Sequence, residues 1–168
     1  MVDATSLAGS LARARQVLET VPDPEIPVLS LVDLGVIRSV EWAEGVLHVG
    51  VSPTYSGCPA TVAIRTSIVE ALRQAGFEDV SVVEVLSPPW SSDRISAAGR
   101  RKLLEYGIAP PAGSLASRRS VLHGDLPIAC PRCGSAATEK VSEFGSTPCK
   151  AHYCCTGCLE PFDYFKCI

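Results

Sequence analysis

Seven of the eight cysteines lie in the last 39 residues, and their spacing is that of metal ligands. Cys130-Pro131-Arg132-Cys133-Gly134 forms one CxxC knuckle, and Cys155-Thr156-Gly157-Cys158 forms another. Two thiolates separated by two residues reach one ion from a tight turn, and Gly134 allows the left-handed backbone that closes it. The 21 residues between the knuckles are enough for a strand hairpin. Cys130, Cys133, Cys155 and Cys158 are therefore expected to hold one ion, zinc in preference to an iron centre, although both accept four sulfurs. Buried free thiols and a redox dithiol are the alternatives. Cys154 offers a three-residue spacing in place of Cys155. Cys149 and Cys167 are surplus to one ion and either pack as neutral thiols or form a redox-sensitive pair.

The eighth cysteine stands apart. Cys58 lies in Ser52-Pro53-Thr54-Tyr55-Ser56-Gly57-Cys58-Pro59, ahead of an apolar helical pattern. Unpaired N–H groups and the dipole at a helix N-terminus favour a thiolate, and the hydroxyls of Thr54, Tyr55 and Ser56 can solvate a bound group. The bland alternative is a buried, inert thiol. Further upstream, Val21-Pro22-Asp23-Pro24-Glu25-Ile26-Pro27 holds two carboxylates in a loop stiffened by three prolines. A solvated proline-rich turn is the simpler reading of that segment.

The elements that must position these groups can be read from periodicity. Leu7, Leu11, Ala14, Val17 and Leu18 recur at helical spacing until Pro22 and Pro24 stop them. Val36–Trp42 and Val46–Val51 read as strands joined at Ala43-Glu44-Gly45. A second helix is expected from Pro59, with Ile64, Ile68, Leu72 and Ala75 as its stripe and Gly76 as its stop. Val80–Leu86 reads as a strand and Ile95–Tyr106 as a helix. The order α-β-β-α-β-α predicts an α+β sandwich with helices on one face of a short sheet. Beyond it, Thr138–Phe144, Lys150–Tyr153 and Phe162–Lys166 read as short strands of a zinc β-ribbon. The predicted division is an α+β domain over residues 1–107, a linker of Pro, Gly, Ser and Ala over 108–129, and a ribbon over 130–168.

Bulk composition narrows the function classes. Up to Gly107 there are 9 basic and 13 acidic residues, and from Cys130 onward 4 of each. Neither part has the basic excess a nucleic-acid binder needs. No apolar run approaches the roughly 20 residues of a membrane span, and the opening Met1-Val2-Asp3-Ala4 carries an acid where a secretory signal carries bases. A cytoplasmic protein without nucleic-acid or membrane partners is expected, with reduced thiols free to bind metal. The three histidines, His48, His123 and His152, make no Glu-x-x-His pair of the di-iron type. Phosphate-loop and dinucleotide fingerprints are missing as well.

The pattern from Asp23-Pro24-Glu25, through Asp33-Leu34-Gly35-Val36-Ile37, to Gly57-Cys58-Pro59 and Pro88-Pro89-Trp90 resembles the domain of the SufT and cytosolic iron–sulfur assembly families. With the tail from Phe144-Gly145-Ser146-Thr147 to Phe162-Asp163-Tyr164-Phe165-Lys166-Cys167, the chain is similar to the PaaD family of phenylacetyl-CoA epoxidase components. The resemblance aligns Cys58 with an invariant cysteine, and Asp23 and Glu25 with an acidic motif. It implies an accessory or maturation subunit of the multicomponent monooxygenase in aerobic phenylacetate degradation, not catalytic alone. Its partners would be the other epoxidase subunits, above all the iron–sulfur reductase. Cys58, with Asp23 and Glu25, would hold iron or an iron–sulfur cluster transiently, while a structural zinc stays in the tail. A zinc adaptor without metal delivery and a thiol enzyme using Cys58 are the competing readings. The thiol enzyme would need a neighbouring base, for which His48 is nearest in sequence.

Overall fold

The computed structural model describes residues 4–55, 57–112 and 128–166, without the side chains of residues 4–7. The expected stripe residue Leu7 loses its side chain to that limit, and Ser56, Cys167 and most of the expected linker lie outside the described residues. The chain forms two compact units, residues 1–90 and 91–168.

In the first unit, α1 (Ala4–Glu19) buries Ala14 and Leu18 fully. Strand β1 (Ile37–Ala43) and strand β2 (Val46–Val51) form an antiparallel hairpin that closes at Ala43↔Val46. Glu44 and Gly45 both take positive φ there, the pairing that matches strand twist in a two-residue turn. Helix α2 (Thr61–Gln74) buries Ile64, Ile68 and Leu72 and leads to β3 (Val80–Glu84), which runs parallel to β2. The sheet order is β1-β2-β3. Leu47, Val49 and Val51 of β2 are buried together with Val40 and Val82, so alternation puts His48 and Gly50 on the opposite face.

The second unit contains more than the expected ribbon. Helix α3 (Ala97–Tyr106) starts at Ser96, whose Oγ accepts from the Gly99 N–H at 2.8 Å, and Gly107 (φ 92) closes it. The chain then enters a two-residue strand, β4 (Ile108–Ala109), which pairs in parallel with β7 (Pro161–Phe165). The ribbon strands β5 (Thr138–Ser142) and β6 (Lys150–Cys155) complete a sheet of order β4-β7-β6-β5. The compact units thus divide at a different place from the expected 1–107, 108–129 and 130–168: α3 and β4 group with the ribbon. The reason is physical, because β4 hydrogen-bonds to β7, a partner some fifty residues away that leaves no mark on local composition. Ala109, Ile128, Ala151, Tyr153, Phe162 and Tyr164 bury together with Cys130 and Cys155. Tyr153 stacks on Phe162 at 5.8 Å and meets Tyr164 edge-on at 5.7 Å, so the ribbon has an aromatic core as well as its cysteines.

Candidate functional site

The two knuckles occupy equivalent positions at one end of the ribbon. The first precedes β5, and the second turns from the last residue of β6 into β7. In each, the fifth residue returns its N–H to the carbonyl of the first: Gly134 to Cys130 and Leu159 to Cys155, both at 2.8 Å. Both fifth residues are left-handed, Gly134 at φ 75 and Leu159 at φ 64. Backbone N–H groups also point at sulfur, from Arg132 to Cys130 Sγ and from Cys158 to Cys155 Sγ, each at 3.4 Å.

The four Sγ atoms lie within 4.8 Å of one another. Cys130 and Cys158 are 3.8 Å apart, and Cys133 and Cys155 are 3.6 Å apart. A zinc–sulfur distance of about 2.3 Å gives a sulfur tetrahedron with edges of about 3.8 Å. The residues therefore fit one tetrahedral ion. Cys154 is excluded from the set: neighbours on a strand face opposite ways, and its Sγ turns to the Cys155 carbonyl at 3.9 Å while Cys155 is fully buried inward. Cys149 is buried with its Sγ 3.0 Å from Thr147 Oγ1.

Proton affinities across the set are uneven. The Cys158 N–H, against the opposing effect of burial and with help from the Gly157 N–H and the neighbouring thiols, lowers the Cys155 thiol to about 6. Cys158 goes the other way, to about 12: the Glu160 N–H favours its thiolate, but burial and the three other sulfurs outweigh it. One thiolate forms readily, and gathering four needs a cation at their centre.

At the first unit, the motifs scattered along the chain converge on the carboxyl ends of β2 and β3. Ser52 donates its N–H to Val36 O at 2.8 Å and its Oγ to Val85 O at 2.8 Å, joining the exits of β2 and β3 to the entry of β1. The buried Trp90 donates Nε1–H to Leu34 O at 3.0 Å, and Arg38 donates to Pro88 O at 2.9 Å. Cys58 follows the Ser52 loop and is almost wholly buried. Regular helix begins at Thr61, two residues later than expected, because a tight turn comes first: Thr61 N and Oγ1 both donate to Cys58 O, at 3.2 and 2.8 Å. Cys58 thus heads α2 through its carbonyl, as Pro59 and Ala60 form the turn between.

The acidic loop is built differently from a ligand pair. Asp23 is buried, and its Oδ1 accepts from the N–H groups of Glu25 and Ile26 at 2.9 and 2.8 Å. Glu25 is half-buried. Among the described residues the four tail cysteines are the group of three or more potential ligands whose donor atoms lie within 4.8 Å of one another. His48, on the face of β2 opposite to Leu47 and Val49, is turned away from the helix layer that carries Cys58. Sequence reasoning missed Arg38 and Ser52, whose roles depend on partners 33 to 50 residues distant.

Two family models match the chain: "Iron-sulfur cluster assembly protein" over residues 11–85 and "PaaD zinc beta ribbon domain" over residues 115–166. A relative in Escherichia coli, the D component of a "Putative 1,2-phenylacetyl-CoA epoxidase", is 51% identical over 154 residues, covering 90% of this chain and 89% of that protein. This chain belongs to the PaaD family. The ribbon match reaches back to residue 115, into the stretch first expected to be linker. "Fe-S protein maturation auxiliary factor YitW" of Bacillus subtilis is 36% identical over 81 residues, 47% of this chain and 78% of its own length. The crystal structure of a "Domain of Unknown Function DUF59" from Bacillus anthracis superposes with a TM-score of 0.55 at 27% identity, over 60% of this chain and 97% of that one. The PaaD-family chain thus joins an iron–sulfur-assembly-type α+β domain to a zinc β-ribbon. Among the described residues no helix is long and apolar enough to cross a membrane.

Proposed function

We propose that this protein is the accessory maturation subunit of a multicomponent phenylacetyl-CoA epoxidase and assists insertion of iron or an iron–sulfur cluster into a partner subunit, its iron–sulfur reductase. The observation that carries the reading is the union, in one PaaD-family chain, of an assembly-type domain with a tetrahedral four-sulfur site. Cys58 holds the cargo through its sulfur at the carboxyl ends of β2 and β3. Asp23 fixes the loop backbone that presents Glu25, the carboxylate better placed to assist. The ribbon, cross-linked by zinc at Cys130, Cys133, Cys155 and Cys158, docks the client.

Replacing Cys58 with Ser tests this. The variant should fold and retain its tail metal, while the epoxidase system assembled with it should lack part of its iron or iron–sulfur content. Separately matured client should then restore epoxidation without this protein. A fully metallated, active system made with Cys58→Ser would leave the adaptor reading instead. Loss of turnover with fully metallated client would favour a thiol enzyme, a reading weakened by the outward-facing His48.

A further inference from the structure

We infer that the free edge of β3 takes an extended segment of another protein as an added strand, one that carries carboxylates two residues to either side of an apolar side chain. This surface stands apart from the delivery function proposed above, since it needs neither Cys58 nor the tail metal.

Strand β3 closes one side of the β1-β2-β3 sheet, and among the described residues no strand pairs with its outer edge. Its register against β2 runs without a slip from Leu47↔Val80 to Val51↔Glu84. At the two ends of that ladder Leu47 donates its N–H to Asp79 O and Val85 donates its N–H to Val51 O, both at 2.8 Å. Asp79, Ser81, Val83 and Val85 therefore turn their backbone groups toward β2, and Val80, Val82 and Glu84 turn theirs outward. A side-chain bond marks the outward set independently, because Arg65 donates Nη2–H to Val82 O at 3.1 Å.

A cleft of about 510 Å³ runs along this edge, lined by Arg65, Val69 and Arg73 of α2 and by Val80 and Val82 of β3. Residues four apart on a helix share one face and rise by about 6 Å. Alternate side chains of an extended chain are about 6.6 Å apart. A strand added to β3 thus meets arginine, valine and arginine in step with its own alternate residues. Glu70 lines the same cleft, and two arginines against one glutamate leave it net positive on a chain whose overall charge is −3. A charged side chain laid across an open edge guards it against indiscriminate pairing. Arg65 is such a guard, and it is exposed. A carboxylate of the incoming strand draws the guanidinium off Val82 O, and a backbone N–H of that strand takes the vacated acceptor. A second copy of β3 is the poorer occupant, since Val80-Ser81-Val82-Val83-Glu84 brings a single carboxylate, at its end.

The test uses the zinc-loaded full chain and a seven-residue peptide with blocked ends, threonine at the odd positions and glutamate, valine and glutamate at the even ones. Calorimetry at low salt reads affinity, and amide exchange reads strand addition. Saturating peptide should slow exchange at Val82 and Glu84, whose N–H groups face outward, and leave Val83, whose N–H faces β2, unchanged. The same peptide with glutamine in place of glutamate should bind about tenfold more weakly, and Arg73→Gln should weaken the acidic peptide about threefold while leaving the glutamine peptide alone. Raising salt should erase the difference between the two peptides. No binding of the acidic peptide, equal affinity for both peptides, or binding without protection of Val82 would each overturn the inference. So would protection of Val82 and Glu84 through self-association of the peptide-free protein, which would give the edge to a second copy.

Discussion

Trp90→Phe isolates the bond that ties the Leu86–Trp90 segment to the Leu34 loop of the first unit. The indole N–H donates to Leu34 O at 3.0 Å, and both residues are buried. Phenylalanine keeps most of the apolar contact but removes the donor, leaving a buried carbonyl unsatisfied at a cost of about 1–3 kcal/mol. The smaller ring leaves a void worth about 1 kcal/mol more. The sum, about 2–4 kcal/mol, is below the roughly 5–10 kcal/mol expected for a unit of this size, so the variant should remain folded in buffer. With a urea dependence of about 1–2 kcal/mol/M, the unfolding midpoint should drop by about 2 M. The assay is clean because the chain has two tryptophans, Trp42 and Trp90, both in the first unit. In the variant, Trp42, which packs against Phe77 with ring centroids 6.3 Å apart, is the sole reporter. An unchanged midpoint would refute the claim that this bond holds the Leu86–Trp90 segment to the Leu34 loop, and with it the placement of Pro88 for Arg38.

The remaining predictions concern the ribbon. Reduced protein should carry about one zinc per chain, and Cys133→Ser should lower that content while tryptophan fluorescence of the first unit stays unchanged; full metal retention would dismiss the four-sulfur site. Because Ser91–Ile168 also has an aromatic core, chelation should loosen the knuckles first, visible as faster amide exchange at residues 130–134 and 155–159 than at Tyr153 and Phe162. Uniform loss of protection across the unit would show that metal alone folds it. Asp163 gives a pH signature. Burial pushes its carboxyl up, but the hydrogen bonds from Ser146 and His152 and the Lys150 charge prevail and hold it below its ordinary value. Its stabilising effect is therefore present above the unfolded value of about 4 and lost as pH falls through the lower folded value. Asp163→Asn should destabilise the ribbon at pH 7 and converge with wild type in acid; a constant difference at all pH values would rule out the carboxylate's charge as the cause.

The knuckles, the β1–β2 hairpin and the stripe of α2 were legible in the sequence because each is fixed within a few residues. A CxxC spacing, two positive-φ turn residues and an i, i+4 repeat all report local geometry. The four-sulfur set followed from spacing alone up to the ambiguity between Cys154 and Cys155. That ambiguity was settled only when β6 acquired partners on both sides, which fixes which residues of the strand face inward.

Tertiary structure decided the rest. The compact units divide at residue 90, and β4, two residues long, pairs with β7 in the second of them, a bridge that no local pattern announces. The sequence brought two carboxylates into one proline-rich loop, but the fold turned Asp23 inward to satisfy two backbone donors, a requirement set by burial and invisible to composition. Arg38 reads as an ordinary strand residue until the fold brings it to the Pro88 carbonyl. Sequence by itself determined which ligands exist and which turns they ride on, since those depend on neighbours along the chain. Which face each group meets depends on hydrogen-bond partners tens of residues away, and only the folded sheets supply them.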